Sequence, residues 1–383
     1  MGGPLSDFFN WVFSVIFLTE MVPILKFHLT NKSLLNVDCS LGCLFSTFLQ
    51  EKIMRFFSSI TFSLILLAGV AHSDGHLTDV SFGTNWFAQA EHGGFYQSVA
   101  DGTYAECGLN VTILPGGPQV NNRALMMAGE IQFHMGGDLL QAFNSVREGI
   151  PVVSVAAIFQ KHPQVILAHP GKASSFEDLK NLELLIGDNG FFSFYQWMKA
   201  EYGFTDEQRQ PYTFNPAPFL ADMNKGMQGY LSSEPYVVEK EGGFVPEVFL
   251  IADAGYSTYA TTIETLAATI AESPEVVQCF VDGSIKGWYN YLYNDRSEAD
   301  KLIIQDNPQM TPDKIAYAIE KMLENGIVDS GDALTMGIGA LTDEKVSDFY
   351  NKMVSSGVIE DDIDSTQAYN TSFVNNKVGM DLK

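Results

Sequence analysis

The chain has 383 residues, 46% hydrophobic and 18% charged, enough for two domains with packed cores and unlike a disordered chain. Its net charge of −24 argues against nucleic acid and anionic membrane as partners. No G-x-S-x-G, H-E-x-x-H or Walker pattern occurs, so no catalytic set stands out.

Residues 1–53 carry an apolar patch over 8–18, interrupted by Asn10 and ended by Glu20, and read as an over-long start or a leader. Met54-Arg55-Phe56-Phe57, the apolar run 60–70 and Ala71-His72-Ser73-Asp74 form a basic start, an apolar middle and small residues at a cleavage point. That is the grammar of a secretory signal over 54–73, which implies export to the periplasm. The run is too short for a comfortable membrane span. Two cysteines then remain, Cys107 and Cys279. Export permits a disulfide, but two cysteines far apart in sequence do not predict one, and buried free thiols are the expectation.

The mature chain begins with strands and helices in alternation. Strands are expected over 80–86, 111–114, 131–135 and 152–159, with helices over 95–107, 121–128 and from Asp138 onward. This order implies a mostly parallel sheet with helices on both faces. The pattern restarts near 161–164. Strands are expected over 165–168, 184–186, 212–214, 227–231 and 248–251. Between them lie a helix over 176–180, capped by Ser175 with Asp178 at the capping-box position, and an aromatic-rich helix over 191–202. Helices over 274–293, 311–325 and 343–355 follow one last strand-like run. Hence 74–163 is a first lobe, 164–256 a second, and 257–383 a return to the first. Two crossings, near 161–164 and 256–260, make a hinged clamp whose cleft is a natural ligand site.

The stretch Asn85-Trp86-Phe87-Ala88-Gln89-Ala90-Glu91-His92-Gly93-Gly94-Phe95-Tyr96 spans a strand-to-helix turn, where ligands bind in open α/β sheets. Trp86 either packs in the core or stacks on a planar ring; Asn85 offers a donor and an acceptor to a ring edge. His92, beside Glu91, serves as a cap or meets the ligand, and Tyr96 falls one helical turn later. Asp138 caps a helix or faces a ligand amine. Phe191 and Tyr195 share a helix face and close over a ligand or pack the second lobe. Glu234 caps a helix or pairs with an amino group of a pyrimidine-like ring.

Thr84-Asn85-Trp86, Glu91-His92-Gly93-Gly94-Phe95-Tyr96, Gly108-Leu109-Asn110-Val111 and Pro115-Gly116-Gly117-Pro118 together resemble periplasmic substrate-binding proteins of ABC importers. The group is the nitrate/sulfonate/taurine and thiamine-pyrimidine type. Gln228-Gly229-Tyr230-Leu231-Ser232-Ser233-Glu234-Pro235-Tyr236, Asp253-Ala254-Gly255 and Met336-Gly337-Ile338-Gly339 extend the resemblance over nearly all of 78–378. It implies a two-lobed α/β periplasmic-binding-protein fold, type II-like, with the ligand cleft between lobes. It also implies a monomer without a cofactor, whose partners are a small-molecule ligand and an importer permease. A thiamine-pyrimidine precursor is the first ligand expected, with a riboflavin-like or sulfonate solute next.

The same family contains the eukaryotic thiamine-pyrimidine synthase, which takes pyridoxal phosphate as a bound substrate. The resemblance puts Gly137 at that enzyme's lysine position and Gln141 at its histidine, and its cysteine-rich iron cluster is absent. The phosphate loop would fall at Asp188-Asn189-Gly190-Phe191, where Asp188 repels a phosphate and Asn189 is a candidate ligand contact. A binding protein is therefore expected over the enzyme.

Overall fold

Short apolar runs between helical segments give ten strands in a computed structural model, which describes residues 77–117 and 120–383. The expected over-long start or leader at 1–53 and the expected signal at 54–73 lie outside the described residues. The strands are β1 (Thr78–Gly83), β2 (Leu109–Leu114), β3 (Phe133–Met135), β4 (Val152–Phe159), β5 (Gln164–Ala168), β6 (Glu183–Ile186), β7 (Arg209–Pro211), β8 (Lys225–Tyr230), β9 (Glu247–Leu250) and β10 (Ala260–Leu266). They form two five-stranded sheets, ordered β2-β1-β3-β10-β4 and β7-β6-β8-β5-β9. Each sheet is the core of one lobe, so the two-lobed α/β fold expected from the sequence is the fold found.

Both sheets are mixed. In the first, β1 runs parallel to β2 and β3, but β10 lies antiparallel between β3 and β4. In the second, β5 runs antiparallel to β8 and β9. The expectation of a mostly parallel sheet missed this because β10 returns from the second lobe. A strand arriving from another lobe is free of the handed βαβ crossover that forces parallel pairing.

The chain passes between lobes twice, from β4 to β5 and from β9 to β10. The helix Asp343–Ser355 sits against both passages. Lys345 Nζ donates to the Gln160 carbonyl at 2.7 Å, and Lys352 Nζ donates to the Gly255 carbonyl at 2.5 Å. On the first lobe, the helix Gly93–Ala100 crosses the helix Pro274–Tyr293 at very short range. A Cβ on Gly94 would lie 2.2 Å from Trp288, so only glycine permits this approach.

Four local expectations are corrected. The helix expected over 95–107 breaks after Ala100, where the Asp101 carboxylate accepts from Thr103 N at 3.0 Å and restarts the chain as Thr103–Glu106. The helix expected over 191–202 is two pieces, Asp188–Phe191 and Phe194–Tyr202, because Ser193 turns toward the other lobe. The strand expected at 212–214 is at Arg209–Pro211 instead, and Phe214 holds a φ of 62°, in the left-handed region outside the extended backbone of a regular strand. Finally, Cys107 and Cys279 are a disulfide with Cα atoms 5.8 Å apart, not free thiols. Tyr104 stacks on Phe280 with centroids 5.2 Å apart, which draws the end of the short helix Thr103–Glu106 onto the long one. Distance along the chain carried no information about this contact.

Candidate functional site

Between the lobes lies a cleft of about 480 Å³. That volume suits a small organic ligand. Five of the residues singled out in the sequence line it: Asn85, Trp86, Asp138, Asn189 and Glu234.

Trp86 follows the end of β1. Its carbonyl accepts from Gly116 N at 3.0 Å and from Thr84 Oγ1 at 2.8 Å, which fixes the turn while the indole stays half-buried. The indole meets Phe214 of the second lobe, with ring centroids 4.2 Å apart. Asn85 Oδ1 lies 3.2 Å from His92 Nε2. His92 therefore stands behind the cleft as a support for Asn85, not in its lining. Burial alone pushes the His92 imidazole down to about 3, so it is neutral across the physiological range.

Asp138 caps the helix Leu139–Arg147, accepting from Gln141 N at 3.1 Å. Its other oxygen accepts from Ser193 Oγ at 2.5 Å and Tyr256 Oη at 2.9 Å, and His162 Nε2 is 3.7 Å away. Ser193 belongs to the second lobe, while His162 and Tyr256 come from the two passages. One carboxylate thus ties both lobes and both hinge segments. Burial pushes it up, but His162, Ser193 and the Gln141 N–H outweigh that and hold it below its ordinary value.

Glu234 opens the helix Glu234–Val237 and accepts from Tyr230 N at 2.6 Å. Burial pushes its carboxyl up to about 7, against that hydrogen bond, and the neighbouring Glu91 adds to the rise.

The other five candidates lie outside the cleft lining. Glu91 is buried and accepts from Ser232 Oγ of the second lobe at 2.5 Å, forming a strut between lobes. Burial raises its carboxyl against that bond. His92 is placed as described. Tyr96 shares a helix face with His92, but that face turns to the helix Ser297–Asp306, where its hydroxyl donates to Asp306 at 2.7 Å. Tyr195 is buried in the second lobe and donates to the Thr205 carbonyl at 2.8 Å. Phe191 lies under the Arg209 guanidinium, 4.8 Å from its ring. Phe191 and Tyr195 still meet, with ring centroids 5.9 Å apart, but they pack the second lobe and neither lines the cleft.

Sequence reading missed much of the lining. Gln89, Asn121, Asn122, Gln141, Gln164 and Gln228 add amides, His134 and His162 add imidazoles, and Tyr212, Phe214 and Tyr230 add aromatic faces. Arg123 is the one lysine or arginine side chain among the described lining residues. Its Nε and Nη2 contact both oxygens of Glu264 at 3.2–3.3 Å, and His134 Nε2 donates to Glu264 at 2.7 Å. Glu264 is fully buried below this floor. Burial pushes its carboxyl up, but Arg123 and His134 together hold it down at about 2. A Cβ on Gly136 would sit 2.2 Å from Glu264 Oε1, so glycine there makes room for the carboxylate. No single sequence motif marks these residues; they are gathered from β3, β10 and one helix by the sheet order.

Among the described residues no helix is long and apolar enough to cross a membrane, and no cluster of three metal-ligating acids, histidines or cysteines occurs.

Comparison with known proteins bears on this cleft. Residues 89–299 match the family model described as NMT1/THI5 like. The chain is 26% identical over 236 residues to the riboflavin-binding protein RibY of Chloroflexus aurantiacus. That match covers 60% of this chain and 66% of the relative, just under two thirds of its length. Among solved structures, the chain resembles a protein described as the putative periplasmic sulfonate-binding protein SsuA of Methylobacillus flagellatus, with TM-score 0.53 and 16% identity over 78% of this chain and 93% of that one. It also resembles the Candida albicans CA3427 product, described as having the generic periplasmic binding protein fold, with TM-score 0.54 and 12% identity over 77% of this chain and 96% of that one. At these identities the structural likenesses speak for the fold.

Proposed function

We propose that this chain, which belongs to the NMT1/THI5-like family, is the exported solute-binding component of an ABC importer and that its cleft closes on a small planar nitrogen heterocycle. The observation that carries the reading is the lining itself: Trp86 and Phe214 meet from opposite lobes, with centroids 4.2 Å apart and planes tilted by 53°, and much of the remaining wall is side-chain amide. Aromatic faces hold a flat ring, and amides pair with whatever mixture of donors and acceptors its edge presents. A pyrimidine-type ring has such an edge, whether in a thiamine-pyrimidine precursor or fused into a riboflavin-like solute. The riboflavin-binding relative supports the second of these, and the resemblance noted in the sequence supports the first.

Binding would work as a clamp. A ligand favours the closed state only by contacts it gains from both lobes. Asn85, Trp86 and Gln141 on one side, with Asn189, Phe214 and Glu234 on the other, supply such contacts. Glu234 would accept from a ring amino or imino group. The closed, loaded protein would then be read by the permease, working as a monomer in the periplasm.

The synthase reading finds less support in the same cleft. Gly137 and Gln141 line it where the resemblance calls for a lysine and a histidine.

Intact-mass analysis of the purified protein after incubation with cell extract tests the proposal. We expect one retained molecule with the absorbance of an aromatic heterocycle. Retention of a sulfonate alone would overturn the planar-ring reading. A covalently held pyridoxal phosphate, surviving washing, would favour the enzyme.

A further inference from the structure

The cleft lining has three features that could attract an anion, and a carboxylate of the chain already occupies each one. Arg123 and His134 on the floor both bind Glu264. His162 and the N-terminus of the helix Leu139–Arg147 both face Asp138, which caps that helix. At the third, Glu234 accepts the Tyr230 N–H. Helix N-termini and guanidinium forks are the usual phosphate and sulfonate sites. Here the same groups are spent inside the protein.

From this arrangement we infer that the cleft is specific for a solute without negative charge, and that Glu264 is a specificity-determining residue which neutralises the floor. The inference deepens the proposed function and rests on the same cleft. An anion placed there would meet the carboxylates of Asp138 and Glu234 with no uncommitted lysine or arginine in the lining to compensate it. The chain's charge of −24 adds a long-range penalty. Phosphorylated and sulfonated relatives of the true solute are thereby turned away, while a neutral ring, or one with a protonated nitrogen, is accepted. Glu264 does this without touching the ligand, since it lies beneath Arg123 and His134 and is fully buried.

The test uses the purified protein with matched probes: riboflavin against riboflavin 5′-phosphate, and separately methanesulfonate and inorganic phosphate, all by calorimetric titration. We expect the uncharged flavin to bind at least ten-fold more tightly than its phosphate, and neither simple anion to bind. Glu264→Gln should acquire binding of methanesulfonate or phosphate, because Arg123 then carries an uncompensated charge. Loss of that gain in the double variant Arg123→Met/Glu264→Gln would assign it to the freed guanidinium. Equal or tighter binding of the phosphorylated flavin, or of either anion by the unmodified protein, overturns the inference. If neither flavin binds, the flavin form of the proposed function falls. The simple anions still decide this inference in that case, since binding by wild type refutes it and a gain only in Glu264→Gln upholds it. Should Glu264→Gln fail to fold, the wild-type titrations decide the matter alone.

Discussion

Trp86 of the first lobe and Phe214 of the second stand with ring centroids 4.2 Å apart, their planes tilted by 53°. Neither ring is fully buried, so each covers the other at the cleft instead of filling a core. Trp86→Ala should remove a stacking face worth about 1–3 kcal/mol, by analogy with bases stacked on aromatic side chains, roughly a 5- to 150-fold loss of affinity. The melting temperature of the unliganded protein should hardly move. Calorimetric titration and a melting curve on the same sample separate the roles: a large drop in melting with unchanged affinity would mean that Trp86 only packs.

Glu234 gives a pH signature. Its folded carboxyl titrates at about 7, above the ordinary value of 4.5. The folded protein therefore holds a proton that the unfolded chain releases, between about pH 4.5 and 7. Its contribution makes the unliganded protein less stable as pH rises through that window. Glu234→Gln should flatten this part of the profile and raise the melting temperature at pH 8 relative to wild type. Solute binding should move the opposite way, weakening by about 1.5–3 kcal/mol as a charge-assisted hydrogen bond is lost. Paired melts at pH 5 and pH 8 check the first effect, and titration at pH 8 checks the second.

His92 should behave as a support. Held neutral by burial, with its titration down at about 3, it adds no step to the binding profile between pH 5 and 8. His92→Ala should lower stability by about 1–3 kcal/mol, the usual cost of emptying a buried polar site. It should also weaken binding through Asn85, whose Oδ1 loses its neighbour at 3.2 Å. Denaturant melts together with titration test this; an unaltered affinity would uncouple Asn85 from His92.

Breaking the Cys107–Cys279 bond should lower stability by about 2–4 kcal/mol, the common range for a native disulfide that closes a long loop. Denaturant midpoints with and without reductant, repeated on Cys107→Ser/Cys279→Ser, measure it. The double serine variant should match the reduced protein and ignore further reductant.

Sequence reading served best where local pattern and tertiary demand agree. The strand at Val152–Phe159 and the helices Pro274–Tyr293 and Asp343–Ser355 are found at the residues their apolar spacing indicates. It served worst where a distant residue decides a local shape. Ser193 leaves a helical run to reach Asp138, and Phe214 takes a left-handed backbone beside Trp86. In both cases a contact across the lobes overrides propensity. The site divides in the same way. Asn85, Trp86, Asp138 and Glu234 are at turns next to strand ends or helix starts, which sequence can mark. Arg123, His134 and Glu264 come together only through the insertion of β10 between β3 and β4, an order that no local window contains.

Between Cys107 and Cys279 the chain leaves the first sheet, builds the entire second lobe and comes back. The bond thus closes a covalent ring in which the second lobe is one segment. A protease that nicks this ring once, for instance in the exposed stretch 213–218, does not cut the molecule in two. The fragments would migrate as one species until reductant is added, and a clipped molecule would keep its lobes tethered for reclosure.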